Sequence, residues 1–492
     1  MEIDPPTILH PRVRVMVRDD PVKERRSWHL VNSPSVQFRV FNNTLDNLLA
    51  GVIERVFYVR DKTTSALRAP YTPIDDDRFM SRLSRFGKLM SRLATSRHPW
   101  SKARFTQCYT GKKLAVYLEA VESLKHNPPT REDSVVKIFI KRTEKTNLSA
   151  KSRPVPRVIS PRDPRYNVAL GCYVKKIEHD VYNNIARVYG SSTVLKGMNA
   201  RQQGEVIQSH FESYSECAAI GLDASRFDQH VSKSALRFEH SVYKRFYPGD
   251  NKLTWLLDMQ LVNRCRGFVD NGGVKYVVDG TRMSGDMNTG LGNCLIMCAL
   301  VYSYAAERNV GIRLANNGDD CVVFMDRRDE LKFKEGLHQW FREMGFDMKV
   351  DKTVYHVEGV VFCQTQPVWD GDGYIMCRDP VLGLGKDHVS VRSLNSEKDY
   401  NRWIAAVGEG GISLAGGLPV FQDFYRTLVR DSKGAKPLYT ALDVESGQYK
   451  LRCGLHRKYK KVSDETRNSF YLAFGITPDH LEESSMWSMV RG

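Results

Sequence analysis

The sequence predicts an α+β chain, and three observations predict it. Strand-like runs recur at separated places, among them Val135-Val-Lys-Ile-Phe-Ile-Lys141, Ala218-Ala-Ile-Gly-Leu-Asp223 and Gly272-Gly-Val-Lys-Tyr-Val-Val-Asp279. Between them lie stretches with apolar residues every three or four positions, as from Asn167 to Val188, the mark of amphipathic helices. Finally, two short apolar, partly β-branched runs between Gly311 and Asp326 flank Asn317-Gly318, a strong signal for a tight hairpin. Hairpins and separate helical runs together give antiparallel sheet packed on helices.

A chain of 492 residues is long enough for two to four packed subdomains. Lys and Arg number 73 against 57 Asp and Glu, a net charge of +16. That excess implies a polyanionic partner, nucleic acid before membrane. The ten cysteines have no Cys-x-x-Cys spacing and read as reduced, buried thiols of an intracellular protein rather than a disulfide framework or zinc site. The most apolar run, Cys294 to Tyr302, is too short for a membrane span and reads as a buried helix. Met1-Glu-Ile-Asp-Pro-Pro lacks a signal-peptide pattern, so membrane attachment is expected to come from a partner.

Residues 1–95 read as an N-terminal extension with an edge strand at Arg12 to Arg18 and a basic, solvated amphipathic helix at Ser81 to Arg97. Tyr109-Thr-Gly-Lys-Lys113 opens a helix through Leu124. From Arg131 to Arg165, ten Lys and Arg face four acids. There the strand ending at Lys141 and the proline-stiffened return from Lys151 to Ser160 make a cationic wall suited to triphosphate or template backbone. Residues 166–217 read mostly helical. An apolar strand then ends at Asp223, with Asp228 in the following turn; a carboxylate closing a buried strand is costly without a counter-charge or metal, the plain alternative being a helix N-cap.

Residues 232–246 and 252–265 read as helices and 272–279 as a hairpin. The Gly-rich loop from Gly280 to Asn293 runs into a helix, placing Ser284, Thr289 and Asn293 near its start, the last two on one face. Small hydroxyls and an amide there can read a sugar. Asp319 and Asp320 stand together at the hairpin tip, where like charges raise each other's pKa unless a cation lies between them. Such hard oxygen ligands suit Mg²⁺. An amphipathic helix (329–344), Lys349 and Lys352, and a further strand pair (357–366) follow. Beyond residue 370 the pattern is mainly helical, broken at Gly408 to Gly417.

This succession resembles the viral RNA-dependent RNA polymerases over roughly residues 100–370. The phrasing of Arg153-Pro-Val-Pro-Arg-Val-Ile-Ser-Pro-Arg-Asp-Pro-Arg-Tyr-Asn167 and Gly221-Leu-Asp-Ala-Ser-Arg-Phe-Asp-Gln-His230 is similar to the tombusvirus-like plant viruses. In that family's terms the motifs are F (137–165), A (223–228), B (284–293), C (318–320), D (345–352) and E (359–366), with 109–113 in the place of motif G. The resemblance implies a right-hand fold: after the extension, fingers (96–217 and 237–280), palm (218–236 and 281–370) and thumb (371–492).

It also implies RNA synthesis in which Asp223 and Asp319, assisted by Asp320 and Ala224, hold two Mg²⁺ ions roughly 3.5–4 Å apart, for which Mn²⁺ can substitute. Arg153 and Arg157, supported by Lys141 and Lys151, would bind the triphosphate, since guanidinium forks match phosphate oxygens. Asp228, Ser284, Thr289 and Asn293 would read the ribose, and Lys349 or Lys352 would protonate pyrophosphate. Cys363 falls in the part that grips the primer end. The implied partners are template and product RNA, nucleoside triphosphates, and an accessory replication protein that carries the chain to membrane-associated complexes in the host cytoplasm. In this family the polymerase is generally the C-terminal part of a longer readthrough or frameshift product. The alternatives are a reverse transcriptase, which normally carries an aromatic gate where this chain has Asp228, and a non-catalytic RNA-binding replication protein.

Overall fold

The computed structural model describes residues 1–30, 38–61, 63–148, 153–438 and 447–477. In its first half the chain forms β1 (Val13–Val17), α1 (Asp76–Leu93), β2 (Val136–Lys137), β3 (Phe139–Ile140), β4 (Val158–Ile159), α2 (Pro164–Tyr189), α3 (Ala200–Phe211), β5 (Cys217–Ala224) and α4 (Lys233–Phe246). Then come β6 (Val262–Val269), β7 (Gly272–Asp279), α5 (Thr289–Glu307), β8 (Ile312–Asn317), β9 (Asp320–Asp326) and β10 (Met348–Val350). The last third adds β11 (Thr365–Trp369), β12 (Tyr374–Arg378), α6 (Glu397–Ala415), α7 (Phe421–Asp431) and α8 (Asp464–Phe474).

The central sheet runs β8-β9-β5-β10, antiparallel throughout. Alternation along β5 decides what each face meets. Ala218, Ile220, Leu222 and Ala224 point into a core shared with α2, α4 and α5, whereas Cys217 and Ala219 join Val322 and Phe324 in a second core under α6 and α7. Gly221 falls on that second face, where a Cβ would stand 2.4 Å from the Asp351 carboxylate, so the position needs glycine. Helix α5, which contains the apolar run Cys294 to Tyr302, is apolar all round because protein surrounds it. It is the one described helix long and apolar enough to cross a membrane, and 78% of its most apolar stretch is buried.

A second four-stranded sheet, β1-β7-β6-β2, shows where local periodicity misled. Residues 259–265 end the helical expectation early: the helix stops at Asp258 and Val262–Val269 alternates exposed and buried as a strand paired with β7. The expected single strand over 135–141 divides. β2 pairs parallel with β6, while β3 leaves that sheet and pairs with β4, so the motif F arm hangs from the sheet's edge. Of the expected N-terminal extension, β1 pairs with β7, and Leu45, Leu48, Val52 and Ile53 pack on Val136, Ile138 and Val274 in this lobe, whereas α1 buries Phe79, Leu83, Phe86 and Met90 in the first core.

Two helical expectations change. Gly336, left-handed at φ +71°, divides the helix expected over 329–344. By contrast, the glycines at 408–411 do not interrupt α6, which runs to Ala415. They let α7 approach: a Cβ on Gly411 would meet the Tyr425 ring at 2.2 Å, and one on Gly408 the Val429 side chain at 2.8 Å. The strand pair expected over 357–366 lies further on, as β11 and β12.

Candidate active site

Residues directly opposite in antiparallel strands share a face, and the central sheet uses this to line up polar groups. Asp223 on β5 is opposite Asp320 on β9 and, on its other side, opposite Lys349 on β10; Asp320 is in turn opposite Asn317 on β8. One row therefore reads Lys349, Asp223, Asp320, Asn317. Gly318 and Asp319 are the two turn residues between β8 and β9. Only Gly318 is left-handed (φ +81°), as a type II′ turn requires of its first central residue. The turn thus lies one residue beyond the Asn-Gly pair that signals it. Its amide meets the Cys294 sulfur at 3.2 Å and a Cβ on Gly318 would sit 3.8 Å from the Asn293 Cβ, so the tip rests on the start of α5.

The carboxylates here feel one another. Burial and then Asp319 push Asp320 up to about 6; burial chiefly, with Asp223 adding, raises Asp319. Asp228 is raised by burial and by Asp319, against a hydrogen bond from Asn293 that lowers it. Asp351, raised by burial and by Asp223, belongs to the same acidic field. Two of these groups lean on protein donors: Lys349 Nζ donates to Asp223 at 2.9 Å, and the Cys363 amide donates to Asp320 at 3.0 Å. Accordingly, no three His, Cys, Asp or Glu side chains among the described residues converge as a ready cation cage. The donor set nevertheless fits Mg²⁺. It is all carboxylate oxygen, with the Ala224 carbonyl beside it on the chain, and a cation would relieve the repulsion that raises Asp319 and Asp320.

Asp228 sits on the short helix Phe227–His230, and a polar chain runs back from it into the core. Asn293 Nδ2 donates to Asp228 Oδ1 at 2.9 Å, Arg282 Nε donates to Asn293 Oδ1 at 2.9 Å, and Arg282 pairs with Glu239. Both charged side chains are 0% exposed. Tyr243 and Asn288 also donate to Glu239, at 2.8 and 2.6 Å. Asn293 is therefore held with one amide end fixed by Arg282 and the other turned to Asp228. Ser284 and Thr289 each make one bond within the protein: Ser284 Oγ accepts from the Ser160 amide at 3.0 Å and keeps its proton to donate, and Thr289 Oγ1 donates to the Met283 carbonyl at 2.7 Å and keeps lone pairs to accept. Arg162, buried and bidentate to Asp286 at 2.5 and 3.1 Å, reinforces the seam between the motif F arm and the motif B loop.

On the motif F arm, Arg157 lies near enough to Asp319 and Asp228 to favour their charged forms, while its Nε forms an ion pair with Glu144 at 3.0 Å. Arg153 is turned instead to the buried Glu54 at 3.3 Å, which also takes Arg60 at 2.7 Å. The Lys141 amide donates to the Arg157 carbonyl at 2.8 Å, which holds the arm's backbone; Lys151 lies outside the described residues. Lys349 joins the carboxylate row, whereas Lys352 is exposed and makes no ion pair among the described residues.

Sequence reading missed Glu239, Arg282, Lys196 and Arg226. Lys196 is exposed, favours the charged form of Asp319, and has its Nζ 2.7 Å from where a Gly290 Cβ would be. Arg226, left-handed at φ +53°, has one guanidinium nitrogen buried without a partner. Glu239 fell in a stretch read only as a helix and Arg282 in one read only as a Gly-rich loop, so neither charge carried a signal of its own.

Comparison with known proteins agrees with this geometry. A family model described as viral RNA dependent RNA polymerase matches residues 13–485. Proteins called RNA-directed RNA polymerase are similar: that of Tobacco necrosis virus (strain A) is 43% identical over 471 residues, covering 96% of this chain and 64% of that protein. That of Maize chlorotic mottle virus is 41% identical (96% and 48%), and that of Turnip crinkle virus 40% identical (96% and 61%). The chain thus spans about half to two-thirds of the length of these curated relatives.

Proposed function

The chain belongs to the viral RNA-dependent RNA polymerase family, and on that premise we propose that it copies a positive-strand viral RNA from nucleoside triphosphates, releasing pyrophosphate. The observation that carries this reading is the cross-strand row Lys349, Asp223, Asp320, with Asp319 at the adjoining tip. In the right-hand reading, the central sheet is the palm, the lobe built on β6 and β7 belongs to the fingers, and α6 and α7 to the thumb.

Asp223 and Asp319, with Asp320 and the Ala224 carbonyl, would hold two Mg²⁺ ions, which when bound lower the pKa of the primer 3′-hydroxyl and offset charge on the departing pyrophosphate. The chain's own groups do the rest. Arg157 faces the acidic cleft and offers a planar fork to phosphate oxygens; Arg153 would have to leave Glu54 to join it. Asn293, held by Arg282, and Asp228 present a fixed amide and carboxylate to a ribose hydroxyl. A site built to hydrogen-bond a hydroxyl can reject an analogue lacking it by up to about 10⁴–10⁵, because buried partners go unpaired. Lys349 Nζ stands 2.9 Å from the Asp223 carboxylate, inside the row where pyrophosphate would leave, which supports it over the exposed Lys352 as the donor to pyrophosphate. No covalent intermediate is needed, so positioning and charge supply the rate.

Template-directed incorporation of labelled ribonucleotide with Mg²⁺, run beside the deoxyribonucleotide, tests the reading. Strong preference for the ribonucleotide is expected; equal use, or preference for the deoxy form, would point to a reverse transcriptase. The reading extends to an accessory replication protein that brings the chain to membrane-associated complexes in the host cytoplasm. Flotation of this chain on membranes without any other viral protein would contradict that extension.

A further inference from the structure

We propose that the solvent-facing side of the sheet β1-β7-β6-β2, a separate sheet from the one that carries the carboxylate row, binds the backbone of single-stranded RNA. The register carries the argument. Arg14 on β1 is opposite Lys275 on β7, Lys275 is opposite Arg266 on β6, and Arg266 is opposite Lys137 on β2. Each of four neighbouring strands thus contributes one cation to a single straight row on one face. With strands about 4.8 Å apart, the row spans about 14 Å.

Like charges directly opposite one another in a sheet are destabilising. Acids relieve only one half of the row: Arg266 lies 3.5 Å from Glu132 and Lys137 3.0 Å from Asp163. Arg14 and Lys275 are exposed and in no ion pair among the described residues. The next row on the same face pairs Phe268 with Gly273; Phe268 is 49% exposed, with the Arg18 guanidinium 5.7 Å from its ring centroid.

The plain reading of exposed lysines and arginines is a solvated surface. Solvation, however, is served as well by cations interspersed with acids, and it gives no reason to align four of them or to expose a ring beside them. A polyanion removes the repulsion along the row, and a ring under a guanidinium is a platform on which a base of any identity can stack. That combination of spaced charge and a half-exposed ring capped by a guanidinium favours RNA over an acidic protein segment. Only the choice of polyanion rests on the polymerase reading.

The test measures binding by the full chain rather than synthesis. A long, unstructured, labelled single-stranded RNA is titrated by fluorescence anisotropy at a series of salt concentrations against the wild type, Arg14→Gln/Lys275→Gln, Phe268→Ala and Asp319→Asn. Each lost phosphate contact removes about 0.7 from the log–log salt slope of single-strand binding. The double variant should therefore lose about 1.4, which is about 25-fold in affinity at 0.1 M salt relative to 1 M. It should also melt at the same or a higher temperature, because the repulsion is gone. Phe268→Ala should weaken binding with little change of slope, and Asp319→Asn should bind as wild type even where synthesis is abolished. An unchanged slope and affinity in the double variant overturns the proposal. So does a lowered melting temperature with unchanged binding, or stronger competition by polyglutamate than by RNA of equal charge.

Discussion

Glu239→Gln changes one atom in a side chain that never meets solvent, and its cost can be worked from the contacts. Glu239 balances Arg282 in a pair with both partners 0% exposed and accepts from Tyr243 and Asn288 as well. The substitution leaves the guanidinium buried without a counter-charge and turns an acceptor into a donor facing other donors. Breaking a buried pair from one side costs about 3–5 kcal/mol, whereas replacing both members with apolar groups recovers much of that. Equilibrium urea denaturation should show that loss for Glu239→Gln, and the cycle of Glu239→Leu, Arg282→Met and Glu239→Leu/Arg282→Met should give a coupling energy above about 2 kcal/mol. The double variant should fold yet discriminate poorly between ribo- and deoxyribonucleotides, since Asn293 has lost the donor that fixes its carbonyl. A Glu239→Gln midpoint corresponding to less than about 1 kcal/mol, or additive single substitutions, would refute the assignment of Glu239 and Arg282 as the anchor of the sugar-facing pair.

Acid should weaken the chain through Asp370, whose fully buried side chain is gripped by Arg201 and Arg457, each at 2.5 Å. Burial opposes its charge, but the hydrogen bonds and charges of the two arginines more than offset that and hold it down at about 2. A carboxylate depressed on folding stabilises above its unfolded pKa near 4 and stops doing so as pH falls through about 2, so the contribution of about 2 kcal/mol should fade across that window. Asp370→Asn should cost that much near neutrality and flatten the acid limb of the melting temperature against pH; an unchanged limb would contradict this. Cys363 and Gln364 are both left-handed, at φ +51° and +61°; the Cys363 backbone amide donates to Asp320 at 3.0 Å, and its sulfur lies beside Asp320 and accepts from Asn317 Nδ2 at 3.4 Å. Cys363→Gly should therefore keep nucleotide incorporation and leave stability unchanged or slightly improved; loss of activity would mean that the thiol itself matters.

How far the sequence spoke depends on whether a feature is set locally. The hairpin of Asp319 was legible because its turn needs a positive φ that Gly318 supplies, and β5 because a short apolar run ended in a carboxylate. That Asp223 is opposite Asp320 was not legible, since register between segments almost a hundred residues apart is set by the packing of both faces of the sheet. The glycines of α6 misled because their role is the approach of α7, a tertiary demand that overrides helix propensity. The division of 135–141 between two sheets left no mark in an alternating pattern that suits either. Ser284 and Thr289 were picked out by type and spacing, and their bonds to the Ser160 amide and the Met283 carbonyl could not be read there, while the residues that orient Asn293 are buried charges with no motif of their own.

The joint action of Asp223 and Asp319 is tested most directly by single-turnover incorporation of one ribonucleotide on a primed RNA template with Mg²⁺, for wild type, Asp223→Asn, Asp319→Asn and the double variant. Each single change should lower the rate by about 10³-fold or more, and the double variant should be little worse than either, as expected of groups that act as one unit. A single variant close to the wild-type rate, or losses that multiply, would contradict a shared site for these two carboxylates.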